Sequence, residues 1–392
     1  MLAVSGILLL LILVYFILES ILVSKYVGRV PIRIHVNGTR GKSSVTRYIA
    51  AALRAAGYST MGKITGVIPT IVNPDGTDER INRRGPAHLR EQIRFLRRVS
   101  NNSCNALVVE CMSIMPDLQK IETAIFKPTI TVLTNIYDDH CEVLGYTNEE
   151  RLRAYCSALP DRAIIITGEE NNYSAVYEAS IKKNSKIIKV KSREKQFPSS
   201  MNPDIVDSNV ALALETCREL QIDESLAKDA IIREALKQPS HCFNLRVGEY
   251  DVPFINGFAV NDIPSAEKFL YEWEKKLGSW NSLIFIINTR KDRPFRSLQF
   301  ARWSGSIGRL AAVIITGSHI PFTKRAVQES GISPDKIFCL KKKHIKTITQ
   351  IFEKIVQEKS VIFGFGNIGG DGFLIIEGVS ELSINECLGN GN

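Results

Sequence analysis

The sequence predicts an α/β protein of two domains, each built on a parallel sheet, behind an N-terminal transmembrane helix. Three observations carry this. Short apolar, β-branched runs alternate with stretches of helical period along the whole chain, which is the pattern of repeated βαβ units. Residues 2–18 are apolar apart from Ser5 and Gly6, and residues 21–23 continue the run after Glu19 and Ser20. The strand and helix alternation is interrupted once, where Gln238, Pro239 and Ser240 separate a purely helical stretch from a new set of strands.

The N-terminal run is long enough to cross a hydrocarbon core, which takes roughly 20 apolar residues. It has neither an earlier basic end nor a small-x-small cleavage site, so an uncleaved anchor over residues 1–24 is expected. Lys25, Arg29 and Arg33 follow the span while only the α-amino group precedes it. The positive-inside rule then places the rest in the cytoplasm, as a single-pass membrane protein. Residues 25–240 read as one domain and 241–392 as another, sizes usual for domains. In the first, residues 31–36, 106–109, 130–133 and 163–167 read as buried parallel strands, with helices beginning near Lys42, Pro86 and Asn148. Gly57 is expected to close the first helix and Pro86 to open the second. Residues 205–237 are helical only, with Asp223 as a cap. Strands at 283–287, 312–315 and 361–363, with helices near 264–277 and 345–358, make the second domain Rossmann-like.

Hydrophobic residues at 44% and charged residues at 23% are ordinary for a globular protein. Eight cysteines without a Cys-x-x-Cys pair or matching histidine spacing indicate reduced, buried thiols rather than zinc ligands or disulfides. A net charge of +9 suits nucleic acid, an anionic membrane surface or an acidic substrate. No helix-turn-helix, zinc-finger or RNP-like signature is present, so no nucleic-acid partner is expected. Seven arginines fall between residues 80 and 98, and Arg90, Arg94 and Arg97 recur at helical spacing beside Leu89, Ile93 and Leu96. They form either a solvated helix face or a site for a polyanionic substrate.

The stretch HVNGTRGKSSVTRYIAAAL, residues 35–53, joins a strand to a helix through a glycine-rich turn. Such a turn aims unpaired backbone N–H groups and the positive end of a helix dipole into one small volume, which fits a phosphate. Gly38 and Gly41 let the backbone approach, Lys42 reaches the β and γ phosphates, and Ser43 can ligate magnesium. The full Walker pattern would place glycine at Val36, so Gly38-Thr39-Arg40-Gly41-Lys42-Ser43 is a short variant, and the expected ligand is ATP. The next apolar strand ends at Glu110, and the one after it at Asn135, followed by Asp138-Asp139-His140. Residues past the ends of parallel strands collect on one face, so Glu110 and His140 could meet a metal near the γ-phosphate, or be a surface carboxylate and a turn residue.

These motifs, in this order, resemble the Mur ligase family of ATP-dependent amide-forming enzymes. The resemblance implies Lys42, Glu110 and His140 as catalytic groups, with Ser43, Glu110 and His140 as magnesium ligands. It places Gly38, Thr39, Arg40, Gly41, Lys42, Ser43, Ser44 and Asn135 around the nucleotide, with Asn209 on the adenine side and Arg246 reaching the phosphates. The family's aspartate near the start of the last domain has only Asn256 or Asp262 to match it. No lysine after the Asp-Asp-His segment corresponds to the carbamylated lysine of many members.

The glycine loop begins 13 residues after Lys25, which leaves no room for a nucleotide-sugar domain. An anchor, GKITG, the Arg-Arg-Gly-Pro turn at 83–86, ALVVECMSIMPD, NIYDDHCEVLG, NGFAVND and FGFGNIGG together resemble the ligase subunits of bacterial poly-γ-glutamate synthases of the capsule type. That implies ATP, Mg2+, glutamate and a growing poly-γ-glutamate chain as ligands, and small membrane subunits as partners. Gly364, Gly366 and Gly369 also match a dinucleotide fingerprint, but no acidic residue about 20 positions on completes it, and a tight turn explains them better. Competing expectations are a folylpolyglutamate-synthase-like ligase, a membrane-anchored regulatory NTPase of a capsule export system, and an ATP-binding scaffold.

Overall fold

The computed structural model describes residues 2–392 apart from 67, 84, 138, 192–206, 236, 238–241, 261, 341–344 and 387–392. Asp138, Arg84 and the chain break at 238–240 lie outside the described residues. The chain divides into two compact units, Met1–Gln238 and Pro239–Asn392.

Among the described residues of the first unit, eight strands form one sheet. They are β1 (Ile32–Asn37), β2 (Thr60–Ile64), β3 (Thr70–Val72), β4 (Asp78–Arg80), β5 (Ala106–Glu110), β6 (Ile130–Leu133), β7 (Ile164–Thr167) and β8 (Lys186–Lys189), in the order β4-β3-β2-β5-β1-β6-β7-β8. The sheet is parallel from β2 to β8, with antiparallel β3 and β4 at one edge. Parallel strands are buried on both faces, which is why β1, β5 and β6 read as continuous apolar runs. Ile34, Val36, Ala106 and Val108 face the helices Lys42–Ala55, Asp207–Glu219 and Glu224–Ala235. Leu107 and Val109 face the helices Arg90–Asn101 and Pro116–Phe126. Register pairs Val36 with Glu110 on one side of β1 and Asn37 with Leu133 on the other. β1 lies between β5 and β6, so the loops that follow all three parallel strands emerge together at their C-terminal ends, the usual place for a ligand crevice.

The first helix, Leu2–Gly28, is long and apolar enough to cross a membrane by length and composition. Its root is part of the core: Val27 and Val30 are buried, and Val23 and Tyr26 pack beside them against Phe95, Leu96 and Val99. Gly57 ends the helix Lys42–Ala55 with φ +86°, while Gly57 and Tyr58 N–H donate to Arg54 and Leu53 carbonyls, the Schellman arrangement that glycine accommodates without strain.

In the second unit, β9 (Cys242–Val247), β10 (Tyr250–Asn256), β11 (Ser282–Thr289), β12 (Leu310–Gly317), β13 (Ile337–Cys339), β14 (Ser360–Gly366) and β15 (Ser383–Glu386) order as β13-β12-β11-β14-β10-β9-β15 among the described residues. Five of these are parallel, and β9 and β15 extend the edge antiparallel. The helices Ile263–Leu277, Pro294–Ser304 and Ile320–Glu329 cover one face, and Ile345–Ile355 and Asp371–Leu382 the other. The glycines after β14 form a tight turn: Gly366 has φ +98°, and a Cβ there would lie 2.5 Å from the Asn288 carbonyl oxygen.

Two expectations are corrected. The second helix begins at Arg90, with Pro86 in the bend before it, because residues 83–88 form an arginine-rich connection. Cys242 is disulfide-bonded, whereas Cys104, Cys111, Cys156, Cys217 and Cys339 are free thiols. Spacing alone does not reveal pairing between cysteines far apart in sequence.

Candidate active site

The glycine loop leaves β1 at Gly38, whose φ of +124° and proximity to Thr134 exclude a side chain: a Cβ would lie 2.2 Å from Thr134 Oγ1. Gly41, in the left-handed region at φ +79°, is the N-cap of the helix Lys42–Ala55, and no side chain caps that helix. Its first-turn N–H groups and its dipole are thus available to an anion. Asn135 holds the loop on both sides of Arg40. Its Oδ1 accepts from Arg40 N at 3.0 Å, its Nδ2 donates to Arg40 O at 3.2 Å, and its carbonyl accepts from Thr39 N at 2.9 Å. Lys42 Nζ folds onto the loop, donating to the carbonyls of Gly38 at 2.6 Å and Thr39 at 3.3 Å.

Ser43 and Glu110 meet. Ser43 Oγ donates to Glu110 Oε2 at 2.9 Å, and Thr65 N–H donates to the same oxygen at 2.8 Å. The carboxylate is buried at the end of β5, 4% exposed. A hydroxyl and a carboxylate oxygen side by side are hard oxygen donors of the kind magnesium takes alongside phosphate oxygens, so this pair fits the expected ion. Ser44 sits in the first turn of the same helix, half-buried.

His140 lies on the loop after β6 with φ +51°, its ring 3.9 Å from Asp139 and 3.8 Å from Glu142. Arg40 lies over the Tyr137 ring at 5.7 Å. Burial lowers its pKa, and the charge of Asp139 opposes that fall. Asn209, 7% exposed, packs on the loop itself: its Oδ1 stands 2.2 Å from where a Gly41 Cβ would be. Arg246 lies on β9 of the second unit, where its exposed guanidinium pairs with Asp251 at 2.7 Å. In the same unit Asn256 is buried and accepts from Phe258 N–H at 3.3 Å, while Asp262 caps the helix Ile263–Leu277 through Ser265 N–H at 2.8 Å.

Several participants are not visible in the sequence. Thr65 holds the Glu110 carboxylate through its backbone. Tyr155, 4% exposed, places its hydroxyl 3.3 Å from Thr39 Oγ1. Burial pushes this phenol up to about 12, so it stays protonated at neutral pH. Behind Glu110 runs a buried polar network. Glu122 accepts from Gln92 Nε2 at 2.7 Å, from Met112 N at 3.1 Å and from Ser113 N at 2.7 Å, with His35 at 3.9 Å. Burial alone would raise the Glu122 carboxyl, but these donors hold it below the usual range. Gln92 in turn accepts from Lys63 Nζ at 2.5 Å.

Against known proteins, the Mur ligase middle domain matches residues 36–221, and the poly-γ-glutamate synthase CapB C-terminal domain matches residues 243–382. The chain is 30% identical to the PGA synthase CapB of Bacillus subtilis (strain 168) over 394 residues, spanning 96% of this chain and 97% of that one. It is 29% identical to the capsule biosynthesis protein CapB of Bacillus anthracis over 395 residues, spanning 98% and 84% respectively. Mycobacterium tuberculosis folylpolyglutamate synthase complexed with ADP shares the fold, with a TM-score of 0.67 at 14% identity over 95% of this chain and 93% of that one.

Proposed function

The chain belongs to the poly-γ-glutamate synthase CapB family of Mur-type ligases, and on that premise we propose that it is the ATP-dependent ligase that lengthens poly-γ-glutamate at the membrane. The observation that carries this reading is the Ser43 and Glu110 pair set beside an uncapped helix N-terminus and Lys42. Hard oxygen donors and phosphate-binding N–H groups are there brought to one spot.

A carboxylate at neutral pH is a poor acyl donor to an amine, and phosphorylation supplies a leaving group. In the proposed reaction a γ-carboxylate oxygen of the acceptor attacks the γ-phosphorus of ATP, the bond to the β-phosphate oxygen breaks, and ADP departs. The amine of the incoming glutamate then attacks the acyl carbon and loses a proton, and inorganic phosphate leaves as the amide forms. The loop N–H groups and Lys42 hold the phosphates and stabilise charge on the transferring group. Ser43 and Glu110, with His140 as the third ligand, would hold Mg2+, which offsets phosphate charge when bound. Thr39, Arg40, Ser44 and Asn135 fix the loop, Asn209 completes the nucleotide site, and Arg246 is the phosphate-binding arginine that the family resemblance implies. In this reading residues 25–240 bind ATP, 241–392 complete the ligase, and 1–24 form a single-pass anchor with the catalytic part in the cytoplasm. Lys25, Arg29 and Arg33 beyond the apolar run support that orientation. Small membrane subunits would carry the product outward.

The test is ADP release by the detergent-solubilised protein with ATP and Mg2+, with and without glutamate and polyglutamate, for wild type, Lys42→Ala and Glu110→Ala. Turnover that requires glutamate and is lost in both variants is the expected result. Glutamate-independent turnover would support a regulatory NTPase. No turnover even with the membrane subunits present would leave a scaffold.

A further inference from the structure

The arginine-rich connection and the helix Arg90–Asn101 enclose a cavity of about 660 Å³ in the first unit. Its lining includes Arg83, His88, Arg90, Arg94 and Arg98, with the fully buried Lys63 among them. Arg97, the third arginine at helical spacing, is exposed and outside this lining.

The positive charge here is only partly neutralised from within. Glu91 pairs with both Arg83 and Lys63 at 2.8 Å, and Arg98 pairs with Glu79 at 2.6 Å. Burial would raise the Glu91 carboxyl, but the two cations hold it at about 2, so one fixed negative charge serves two positive ones. Arg90 donates to the Tyr15 hydroxyl at 3.4 Å, and neither Arg90 nor Arg94 has a carboxylate partner among the described residues. Two guanidinium groups in a concave site, Arg90 and Arg94, with no carboxylate partner among the described residues, call for an anion, and their planar forks suit carboxylates.

The position of the cavity selects which anion. Lys63 is two residues before Thr65, whose N–H binds the Glu110 carboxylate, and Arg83 Nη2 lies 3.7 Å from the sulfur of Met112, two residues past Glu110. The cavity lining is thus tied to the segments that hold and follow Glu110.

We propose that this cavity is the docking site of the polyanionic acceptor chain, with Arg90 and Arg94 pairing the free α-carboxylates of its last residues while the terminal γ-carboxylate reaches the phosphate site. This rests on the ligase reading above. Anionic lipid headgroups carry the same kind of charge, but lipid would have no need of a buried lysine next to the Glu110 loop.

The test uses the full-length protein in detergent, wild type against the Arg90→Gln/Arg94→Gln double variant, with a fluorescent γ-linked glutamate decamer as probe. Decamer affinity should fall about tenfold in the double variant, should be largely retained in Arg94→Lys, and should weaken with added salt. ATP affinity should stay within twofold of wild type, which reports an intact fold. Decamer binding equal to wild type overturns the proposal. If in addition the variant loses binding to vesicles containing phosphatidylglycerol, the patch is a lipid site instead. Glutamate-dependent ADP release is scored on the same preparations. Its persistence beside unchanged decamer affinity would sink the docking site alone, whereas its absence in wild type even with the membrane subunits present would sink the ligase reading.

Discussion

Substituting Gly41 with alanine probes the phosphate loop at its tightest point. Gly41 sits at φ +79° and ψ −6°, and a Cβ there would lie 2.2 Å from Asn209 Oδ1 and 2.9 Å from its Cγ. Left-handed backbone costs an L-residue about 1–2 kcal/mol, and forcing a methyl group against a buried amide adds about 1–3 kcal/mol. If the loop must regain its native shape to bind phosphate, these combine to about 3 kcal/mol, or roughly a 150-fold weaker ATP affinity. Removing the obstructing side chain should recover part of this. In Gly41→Ala/Asn209→Ala only the backbone strain is left, about 1.5 kcal/mol relative to Asn209→Ala, which is roughly tenfold. The assay is ATP binding by the wild type, both single variants and the double variant, analysed as a double-mutant cycle. A coupling of at least ~1 kcal/mol is expected. Additive effects, or a Gly41→Ala affinity within about threefold of wild type, would refute the contact between Asn209 and the loop as a determinant of the site.

Four further outcomes follow from the same geometry. Glu110→Gln keeps an acceptor for Ser43 Oγ and Thr65 N–H but removes the charge, so ADP release should fall by about 100-fold or more and require higher Mg2+, measured by metal titration. Tyr155→Phe removes the hydroxyl from Thr39 Oγ1 and should weaken ATP binding by about fivefold, equivalent to about 1 kcal/mol. Glu91 is depressed from 4.5 to about 2 by Arg83 and Lys63, so its stabilisation is complete above pH 4.5 and is lost as the pH falls toward 2. Urea midpoints of Glu91→Gln should accordingly lack that part of the acid dependence. Deleting residues 1–22 leaves Val27 and Val30 in the core, whereas deleting 1–30 removes both. The longer deletion should be less stable by about 3 kcal/mol or more, at about 1.5–3 kcal/mol per buried valine, as read from urea unfolding of the two fragments.

The parts of the fold that were legible in the sequence are those whose residues are dictated locally. β1, β5, β6, β11, β12 and β14 are buried on both faces and appear as continuous apolar runs. The loop after β1 could be read because its two glycines sit at positive φ, where other residues are strained. β2 was missed since its sequence, TMGKI, buries a lysine, and only the contacts of Lys63 with Glu91 and Gln92 make that tolerable. The short edge strands β3 and β4 belong to a stretch of turn residues and charges. Pro86 is a common helix opener, but the arginine connection postpones the helix to Arg90. At the site, Gly38, Gly41, Lys42, Ser43 and Glu110 were marked by residue type and position after a strand. Thr65 acts through its backbone, and Asn209 packs on Gly41 from a distant helix, so neither contact leaves a local signature.

The central claim, that a carboxylate is phosphorylated before the amide forms, is tested most directly by following an oxygen atom. Poly-γ-glutamate acceptor and free glutamate, each carrying 18O at both oxygens of the γ-carboxylate, would be incubated with the solubilised protein, ATP and Mg2+, and the inorganic phosphate analysed by mass spectrometry. The account predicts one 18O atom in phosphate for each amide formed, because the attacking carboxylate oxygen leaves with the phosphoryl group. Phosphate released without the label would contradict it and identify the reaction as hydrolysis by water.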